Sequence, residues 1–218
     1  MIPPRVMADT DKVFILMRHA QSQANARELG VGYDSHLSEA GRKQAKEAAD
    51  FIRRYYDVDA IISSPFRRCI ETAAPLCEMI GATLRLEPLL HEFFNVEWFG
   101  DDLRDITFPE LSEIAESYDC VGGLYDEGRW WPEIAERAME VDGRLRQLSR
   151  YLSMGEYPGK TIVCVGHWAS VASLAYAFKP DITIPEIGNA SVTIIEQRGR
   201  MNRIVMQDYD GFIRDPTC

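Results

Sequence analysis

Residues 13–25 read VFILMRHAQSQAN, so five apolar residues run directly into Arg18 and His19. A short, continuous apolar run predicts a strand that is buried on both faces, as in a parallel sheet. A charge that leaves water without a partner is strongly disfavoured. The sequence therefore predicts that an anion meets Arg18 at the end of this strand.

The composition is that of an ordinary globular protein. The chain has 218 residues, of which 46% are hydrophobic and 27% charged, and one domain over residues 1–218 can bury a substantial core. The net charge of -10 and the absence of a basic run argue against a nucleic-acid partner or an anionic membrane. We therefore expect neither as a partner, and we expect any anionic substrate to bind at a local positive site.

The cysteines and the N-terminus favour a cytoplasmic protein. Five widely spaced cysteines without CxxC pairs are typical of reduced thiols, and zinc-ligand spacing is absent. Residues 1–12 combine prolines and charges without the apolar run of a signal peptide, which predicts a loose N-terminal arm.

Strand and helix signals alternate, which predicts a three-layer α/β/α fold with a mostly parallel sheet. Ser38 is the predicted N-cap of one helix, and Pro65 is placed in the first turn of another. The predicted strands are 13–17, 59–64, 83–87 and 160–167; the predicted helices are 38–56, 65–80, 132–152 and 168–178; and residues 189–207 form a predicted hairpin that turns near Arg198 and Gly199.

Residues 91–131 mix aromatic, acidic, glycine and proline residues with little periodicity. Such long connections are usually functional, and we expect an insertion that covers the carboxyl ends of the strands and the substrate, with a short helix at 109–118.

Two strands, VFILMRH and TIVCVGH, end in His19 and His167. Ligands bind outside the carboxyl ends of strands in open α/β sheets, so we expect these two histidines to meet, although either one alone is more simply structural. Arg67 and Arg68 fall in the first turn of a predicted helix, where exposed N–H groups and the helix dipole attract anions. The pattern predicts a phosphate or carboxylate site, unless both arginines point into solvent.

The segment RHAQSQAN, residues 18–25, resembles the RHG-x-S/T-x-x-N signature of the histidine phosphatase superfamily, which includes the cofactor-dependent phosphoglycerate mutases. Five further segments resemble that family in the same order: HLSEAGRKQA, SSPFRRCIETA, LLHEFFNVEWFG, VGHWASV and NASVTII. Six segments in order over residues 13–195 are much more specific than any single motif.

The resemblance implies a role for each matched residue. His19 is the implied nucleophile that takes the phosphoryl group, and Glu92 is the implied proton donor to the leaving group. The resemblance implies no metal and no organic cofactor. The implied phosphate ligands are Arg18, Ser22, Asn25, Arg68 and His167.

The chemistry of phosphoryl transfer fits these roles. The transition state spreads charge over three oxygens, so catalysis depends on positioning and positive charge. The imidazole of His19 is nucleophilic only when neutral, which requires an acceptor for its other nitrogen. Glu92 must start protonated, and desolvation by Phe93 and Phe94 would raise its pKa; a water-facing Glu92 would instead be an ordinary surface residue.

Several residues depart from the family pattern. Ala20 replaces a glycine, which a small side chain tolerates unless the backbone needs a positive φ. Gln21 stands where many members have glutamate, and Trp168 where a small residue is usual. The roles of two residues stay open. His91 is either a second titrating group or a structural residue, and Arg67 is either a rim contact for the substrate or a solvated charge.

We expect a phosphomonoesterase that acts through a phosphohistidine on a small phosphorylated substrate or a phosphoprotein. A phosphoglycerate mutase is the first alternative, but EFFNVEWFG stands where mutases carry E-R-H-Y-G. A catalytically inactive interaction module is the second, although all the matched positions are present. The four histidines lack the spacing of a metal hydrolase. Aromatic residues in 91–131 hint at an aryl phosphate, or simply at core packing. The sequence does not predict the oligomeric state.

Overall fold

Strands and helices alternate along the chain in a computed structural model that describes residues 10–95, 109–124, 136–183 and 186–214. The strands are β1 (Lys12–Arg18), β2 (Ala60–Ser63), β3 (Leu84–Leu86), β4 (Val121–Leu124), β5 (Thr161–Gly166), β6 (Val192–Arg198) and β7 (Met201–Tyr209). The helices are α1 (Glu39–Tyr55), α2 (Arg67–Ile80), α3 (Leu111–Ser117), α4 (Ala138–Met154) and α5 (Trp168–Phe178).

All seven described strands form one sheet in the order β4-β3-β2-β5-β1-β6-β7. The first five strands of that order are parallel to one another, whereas β6 is antiparallel to β1 and β7 to β6. The prediction of a mostly parallel sheet is confirmed. Because the carboxyl ends of parallel strands share one edge, the ends of β1, β2 and β5 lie side by side.

Alternate residues of β1 enter two separate cores. Val13 and Ile15 pack on the face that α1 and α2 cover, while Phe14 and Leu16 pack on the face that α4 and α5 cover. The side chains of a strand point alternately to the two faces of a sheet, so the continuous apolar run is the signature of a strand covered on both sides. The predicted three-layer α/β/α architecture is confirmed.

The start of α1 follows its predicted pattern. Ser38 is the N-cap, and its Oγ accepts a hydrogen bond from the backbone N–H of Gly41 at 3.0 Å. The face carrying Ala45, Ala48 and Ile52 is buried against the sheet. The predicted hairpin is also confirmed, since β6 and β7 meet through Gly199, which has a φ of 55°.

The start of α2 was predicted incorrectly. The helix begins at Arg67, its N-cap Phe66 makes no side-chain capping hydrogen bond, and Pro65 lies before the first turn. The carboxylate of Asp34 accepts the backbone N–H of Arg67 at 2.7 Å instead. A carboxylate from a distant loop therefore caps this helix, which no local sequence signal indicates.

Part of the segment 91–131 belongs to the sheet, and its predicted role as a cover over the strand ends stays a prediction. Residues 111–117 form α3 as predicted, but β4 pairs in parallel with β3 and extends the sheet edge. The sequence VGGL of β4 contains two glycines, so its strand propensity is low and the strand was missed. Residues 96–108 and 125–131 of the predicted insertion, and residues 1–9 of the predicted arm, lie outside the described residues.

The start of α4 also differs from its prediction. α4 begins at Ala138 and not at residue 132, and residues 132–135 lie outside the described part. The single-domain division over residues 1–218 stays a prediction. Within the described ranges, every helix is too short or too polar to cross a bilayer.

Gly41 marks the closest approach between α1 and the loop after β1. A Cβ atom at Gly41 would lie 1.9 Å from the backbone oxygen of Gln21, so Gly41→Ala should lower the free energy of unfolding by about 1–3 kcal/mol. Gly143→Ala is the control, because an added Cβ there meets nothing within 4 Å and alanine favours the helix by about 1 kcal/mol. Urea unfolding measures both; equal effects would contradict the close approach.

Candidate active site

The register of β1 against β5 brings His19 and His167 together. Arg18 pairs with Gly166, and the backbone N–H of His19 donates to the Gly166 carbonyl at 2.8 Å. The imidazole rings of His19 and His167 lie 5.3 Å apart between centroids, edge to face. The expectation that these two strand ends form one site matches this geometry.

His19 is buried and held in one tautomer. Its Nδ1 lies 2.8 Å from the carbonyl oxygen of Ala20, and because a carbonyl only accepts, Nδ1 carries the proton and Nε2 keeps its lone pair. Burial, and then the positive charges of Arg68 and Arg18, lower the pKa of His19 well below 6.5. The ring is therefore neutral at neutral pH.

His167 lies behind the cavity and is fully buried. Its Nδ1 is 3.0 Å from Nη2 of Arg68, which must be the donor, so Nε2 donates to Oγ of Ser64 at 2.8 Å. Burial first, and then Arg68, lower the pKa of His167 well below 6.5. For Nδ1 of His167 to donate to a phosphate, Arg68 would have to leave Nδ1 and this nitrogen would have to gain a proton.

Arg18 and Arg68 supply the positive charge of the site. Arg68 is 9% exposed, donates through Nη1 to the carbonyl of Tyr33 at 2.8 Å, and has its guanidinium carbon 4.5 Å from the ring centroid of Phe66. Arg18 donates to the carbonyl of Ile187. Its Nε is buried and has no hydrogen-bond partner among the described residues. Both guanidinium groups line the same cavity.

Glu92 lines the same cavity as the two arginines. Its side chain is 21% exposed, Oε2 lies 3.8 Å from Nδ1 of His167, and Oε1 accepts the backbone N–H of Phe93 at 2.8 Å. Burial raises the pKa of Glu92 above its usual 4.5, and the Phe93 hydrogen bond and the nearby arginines oppose this rise only in part. The desolvation expected for Glu92 is present.

Ser22 and Asn25 line the cavity but are bound to each other. The Oδ1 atom of Asn25 accepts from Oγ of Ser22 at 3.0 Å, and Ser22 Oγ accepts the backbone N–H of Asn25 at 3.1 Å. Nδ2 of Asn189 also donates to this Oδ1, at 3.3 Å. These hydrogen bonds hold the loop after β1 in shape. The expectation that Ser22 and Asn25 bind phosphate stays a prediction.

The site opens into a cavity of about 480 Å³. Its lining combines the charged groups described above with apolar and aromatic residues, so a charged phosphate and an uncharged organic group can bind next to each other. The lining residues are Arg18, His19, Ser22, Ala24, Asn25, Val31, Gly32, Tyr33, Phe66, Arg68, Glu92 and Phe94.

Arg67 points away from this cavity. Its Nε lies 3.4 Å from Oδ2 of Asp34 and its Nη1 lies 3.3 Å from Nε2 of His36. Arg67 therefore fixes the loop before α1 to the start of α2. The two adjacent arginines have different environments, which the sequence left open.

The departures from the family pattern have local explanations. Ala20 does not adopt a positive φ, and its backbone N–H donates to Oγ1 of Thr72 at 3.0 Å, so no glycine is needed. Oε1 of Gln21 accepts from Oγ of Ser38 at 2.7 Å, at the cap of α1. Trp168 begins α5, is 39% exposed and does not line the cavity.

Sequence reasoning missed several residues of the site. Ser64 and Phe66 lie inside the matched segment SSPFRRCIETA, so their position beside Arg68 was a usable signal. Tyr33 and Asn189 reach the site from loops, and only their neighbouring motifs pointed there. Within the described ranges, no group of three or more His, Cys, Asp or Glu residues is arranged to hold a metal ion. The absence of a metal or cofactor from the reaction stays a prediction.

The sequence model of the histidine phosphatase superfamily (branch 1) matches residues 14–209. The chain belongs to this superfamily, and the resemblance in its motifs is confirmed.

Glucosyl-3-phosphoglycerate phosphatase of Mycobacterium tuberculosis is 29% identical over 192 residues, which is 82% of each chain. A 2,3-bisphosphoglycerate-dependent phosphoglycerate mutase of Cytophaga hutchinsonii is 29% identical over 167 residues, covering 74% of this chain and 75% of the mutase. The structure of mycobacterial glucosyl-3-phosphoglycerate phosphatase with VO3 superposes with a TM-score of 0.66 at 25% identity, covering 90% of this chain and 98% of that one.

The buried histidines make stability depend on pH. His19, His91 and His167 have folded-state pKa values well below 6.5, so below this pH the unfolded chain binds more protons than the folded one. The three histidines therefore stabilise the fold above pH 6.5, and this stability is lost as the pH falls, by up to about 1.4 kcal/mol per pH unit for each histidine.

Asp34 and Glu92 act in the opposite sense, because their pKa values are raised. Comparing the wild type with His167→Gln isolates one histidine. Urea unfolding between pH 7.5 and 5.5 should give a shallower pH slope for this variant. Identical slopes would show that His167 is not held neutral in the folded protein.

Proposed function

We propose that this chain is a phosphomonoesterase that hydrolyses a small phosphate monoester through a phosphohistidine at His19. The observation that carries the proposal is the unprotonated Nε2 of a neutral His19 in the same cavity as Arg18, Arg68 and Glu92. The relatives support the proposal, because the mycobacterial enzyme that aligns with 82% of this chain is named as a phosphatase.

In the first step, Nε2 of His19 attacks phosphorus and the bond from phosphorus to the leaving oxygen breaks. The carboxyl proton of Glu92 passes to that oxygen, so the product leaves as an alcohol. The guanidinium groups of Arg18 and Arg68 stabilise the charge on the other three phosphoryl oxygens.

In the second step, water attacks the phosphorus of the phosphohistidine. The carboxylate of Glu92 takes the proton of the water, the P–N bond breaks, and its electron pair returns to Nε2 of His19. Inorganic phosphate leaves, and both groups regain their starting protonation states. The raised pKa of Glu92 suits a group that must give and then take a proton.

The apolar lining residues of the cavity contact the organic part of the substrate. Val31, Tyr33, Phe66 and Phe94 belong to this lining. Phe66 also lies beneath the guanidinium of Arg68, which binds the phosphate together with Arg18. Burial of apolar surface favours a substrate whose leaving group is compact and largely uncharged.

A phosphoglycerate mutase is the second candidate, because the Cytophaga hutchinsonii relative is a mutase. A mutase uses the same first step, but a bound acceptor hydroxyl replaces water in the second. The proposed preference for water rests on the missing E-R-H-Y-G segment, for which this chain has EFFNVEWFG.

His19→Ala should abolish turnover of p-nitrophenyl phosphate and the acid-labile phosphoenzyme trapped from a labelled substrate, because no other group in the cavity is a neutral imidazole. His36→Gln is the matched control, since this exposed histidine pairs with Glu71 and does not line the cavity. It should keep both signals.

Residual activity of His19→Ala at the wild-type level would refute the proposal. Product analysis of the wild type separates the two candidates: inorganic phosphate indicates a phosphatase, and transfer to an added phosphoglycerate indicates a mutase. A wild type with no phosphoenzyme and no product would be an inactive module.

Glu92→Gln should affect substrates according to their leaving group. An alkoxide needs a proton as it departs, whereas p-nitrophenolate does not, so kcat/KM for an alkyl phosphate should fall by about 10²-fold or more. The kcat/KM for p-nitrophenyl phosphate should fall by less than about tenfold. This ratio reports the first step only. Equal losses for both substrates would show that Glu92 is not the acid.

A further inference from the structure

A buried cluster of ionisable side chains lies directly behind Glu92 and outside the cavity. The side chains of His91, Arg144 and Glu136 are only 2%, 8% and 10% exposed. None of the three lines the cavity, and the mechanism above uses none of them. Burial of ionisable side chains is costly unless they are paired, so each of these three groups needs a partner inside the protein.

Arg144 and Glu136 form a two-point ion pair near the start of α4. Nε of Arg144 lies 2.7 Å from Oε1 of Glu136, and Nη2 lies 3.0 Å from Oε2. This fork geometry fixes the guanidinium plane and neutralises its charge. Nε2 of His91 lies 3.5 Å from Oε1 of the same glutamate.

The donors of this cluster converge on the backbone around Glu92. Nδ1 of His91 donates to the carbonyl oxygen of Glu92 at 2.6 Å, and Nη2 of Arg144 lies 3.5 Å from the same oxygen. Nη1 of Arg144 donates to the carbonyl of Leu89. The backbone N–H of Glu136 donates to the carbonyl of Phe94 at 3.0 Å.

These bonds replace the support that a helix or strand would give. Residues 91–95 belong to neither, so the direction of the Glu92 peptide depends on contacts from outside the segment. The carboxyl group of Glu92 is in turn tied to this backbone, since its Oε1 accepts the N–H of Phe93. A shift of the peptide therefore moves the carboxyl group.

We propose that His91, Arg144 and Glu136 are positioning residues that hold the backbone of Glu92 so that its carboxyl group reaches the leaving oxygen. This inference rests on the proposed role of Glu92 as the acid. It assigns to His91 a function that the sequence left open. The cluster acts through the placement of Glu92, because a misplacement of about 1 Å lowers a rate by about 10²-fold.

The test compares two substitutions of His91. His91→Asn keeps an N–H donor near the place of Nδ1, whereas His91→Leu has no donor. We expect His91→Leu to lose at least about tenfold more kcat/KM for an alkyl phosphate than for p-nitrophenyl phosphate, and His91→Asn to recover most of the difference. Arg144→Lys, which keeps the charge but loses the fork, should show the same selective loss and provides the readout if His91→Leu does not fold.

Leu148→Ala is the matched stability control. Leu148 is fully buried in α4, one turn after Arg144, and belongs to the core beneath it. Its substitution should lower Tm while changing kcat/KM for the two substrates in the same proportion. The same proportional change in His91→Leu and Arg144→Lys would show that the cluster only stabilises the fold.

The acid role of Glu92 and the positioning role of the cluster are distinguished by their different outcomes. If Glu92→Gln shows no dependence on the leaving group, the proposed acid is wrong and the positioning role falls with it. If Glu92→Gln is selective but His91→Leu and Arg144→Lys are not, only the positioning role is wrong.

Discussion

The parallel pairing of β1 with β5 is the constraint on which the site depends. Six consecutive residue pairs, from Val13 with Thr161 to Arg18 with Gly166, set the ends of these strands level. The hydrogen bond from His19 to Gly166 continues the pairing one residue further. A shift of the register by one residue would turn every side chain of β1 to the opposite face. Val13, Ile15 and Met17 pack in one core, and Phe14 and Leu16 pack in the other. The packing of these particular side chains therefore fixes where the two histidines lie.

The same burial gives the acid and the nucleophile opposite protonation states. Removal from water disfavours the charged form of any group, so it lowers the pKa of His19 and raises the pKa of Glu92. The charges of Arg18 and Arg68 strengthen the effect at His19 and weaken it at Glu92. Burial thus favours a neutral imidazole at His19 and a protonated carboxyl group at Glu92. The chemistry proposed for the pair needs this combination.

The sequence predicted the parts of this structure that local patterns encode. The apolar run of β1 and the Ser38 cap of α1 are such parts, and both were recognised. Contacts between distant segments were not predictable in the same way. Asp34 caps α2 from a loop, and Glu136 binds Arg144 from a position just before α4; neither carboxylate has a sequence signal that points to its partner. The strand β4 was missed because its partner strand, not its own propensity, makes it a strand.

The arginines of this chain differ in their hydrogen-bond acceptors. Those paired with a carboxylate hold the fold together, whereas those with neutral acceptors can bind a substrate anion. Arg67 lies against Asp34 and Arg144 is paired with Glu136, so each already has a carboxylate. Arg68 donates instead to a backbone carbonyl and to the imidazole of His167, which are neutral acceptors. A phosphate oxygen carries charge and is the stronger acceptor, so it can displace either one. In a chain with a net charge of -10, the two arginines that line the cavity can therefore bind an anion, because neither forms an ion pair with a carboxylate within the described residues.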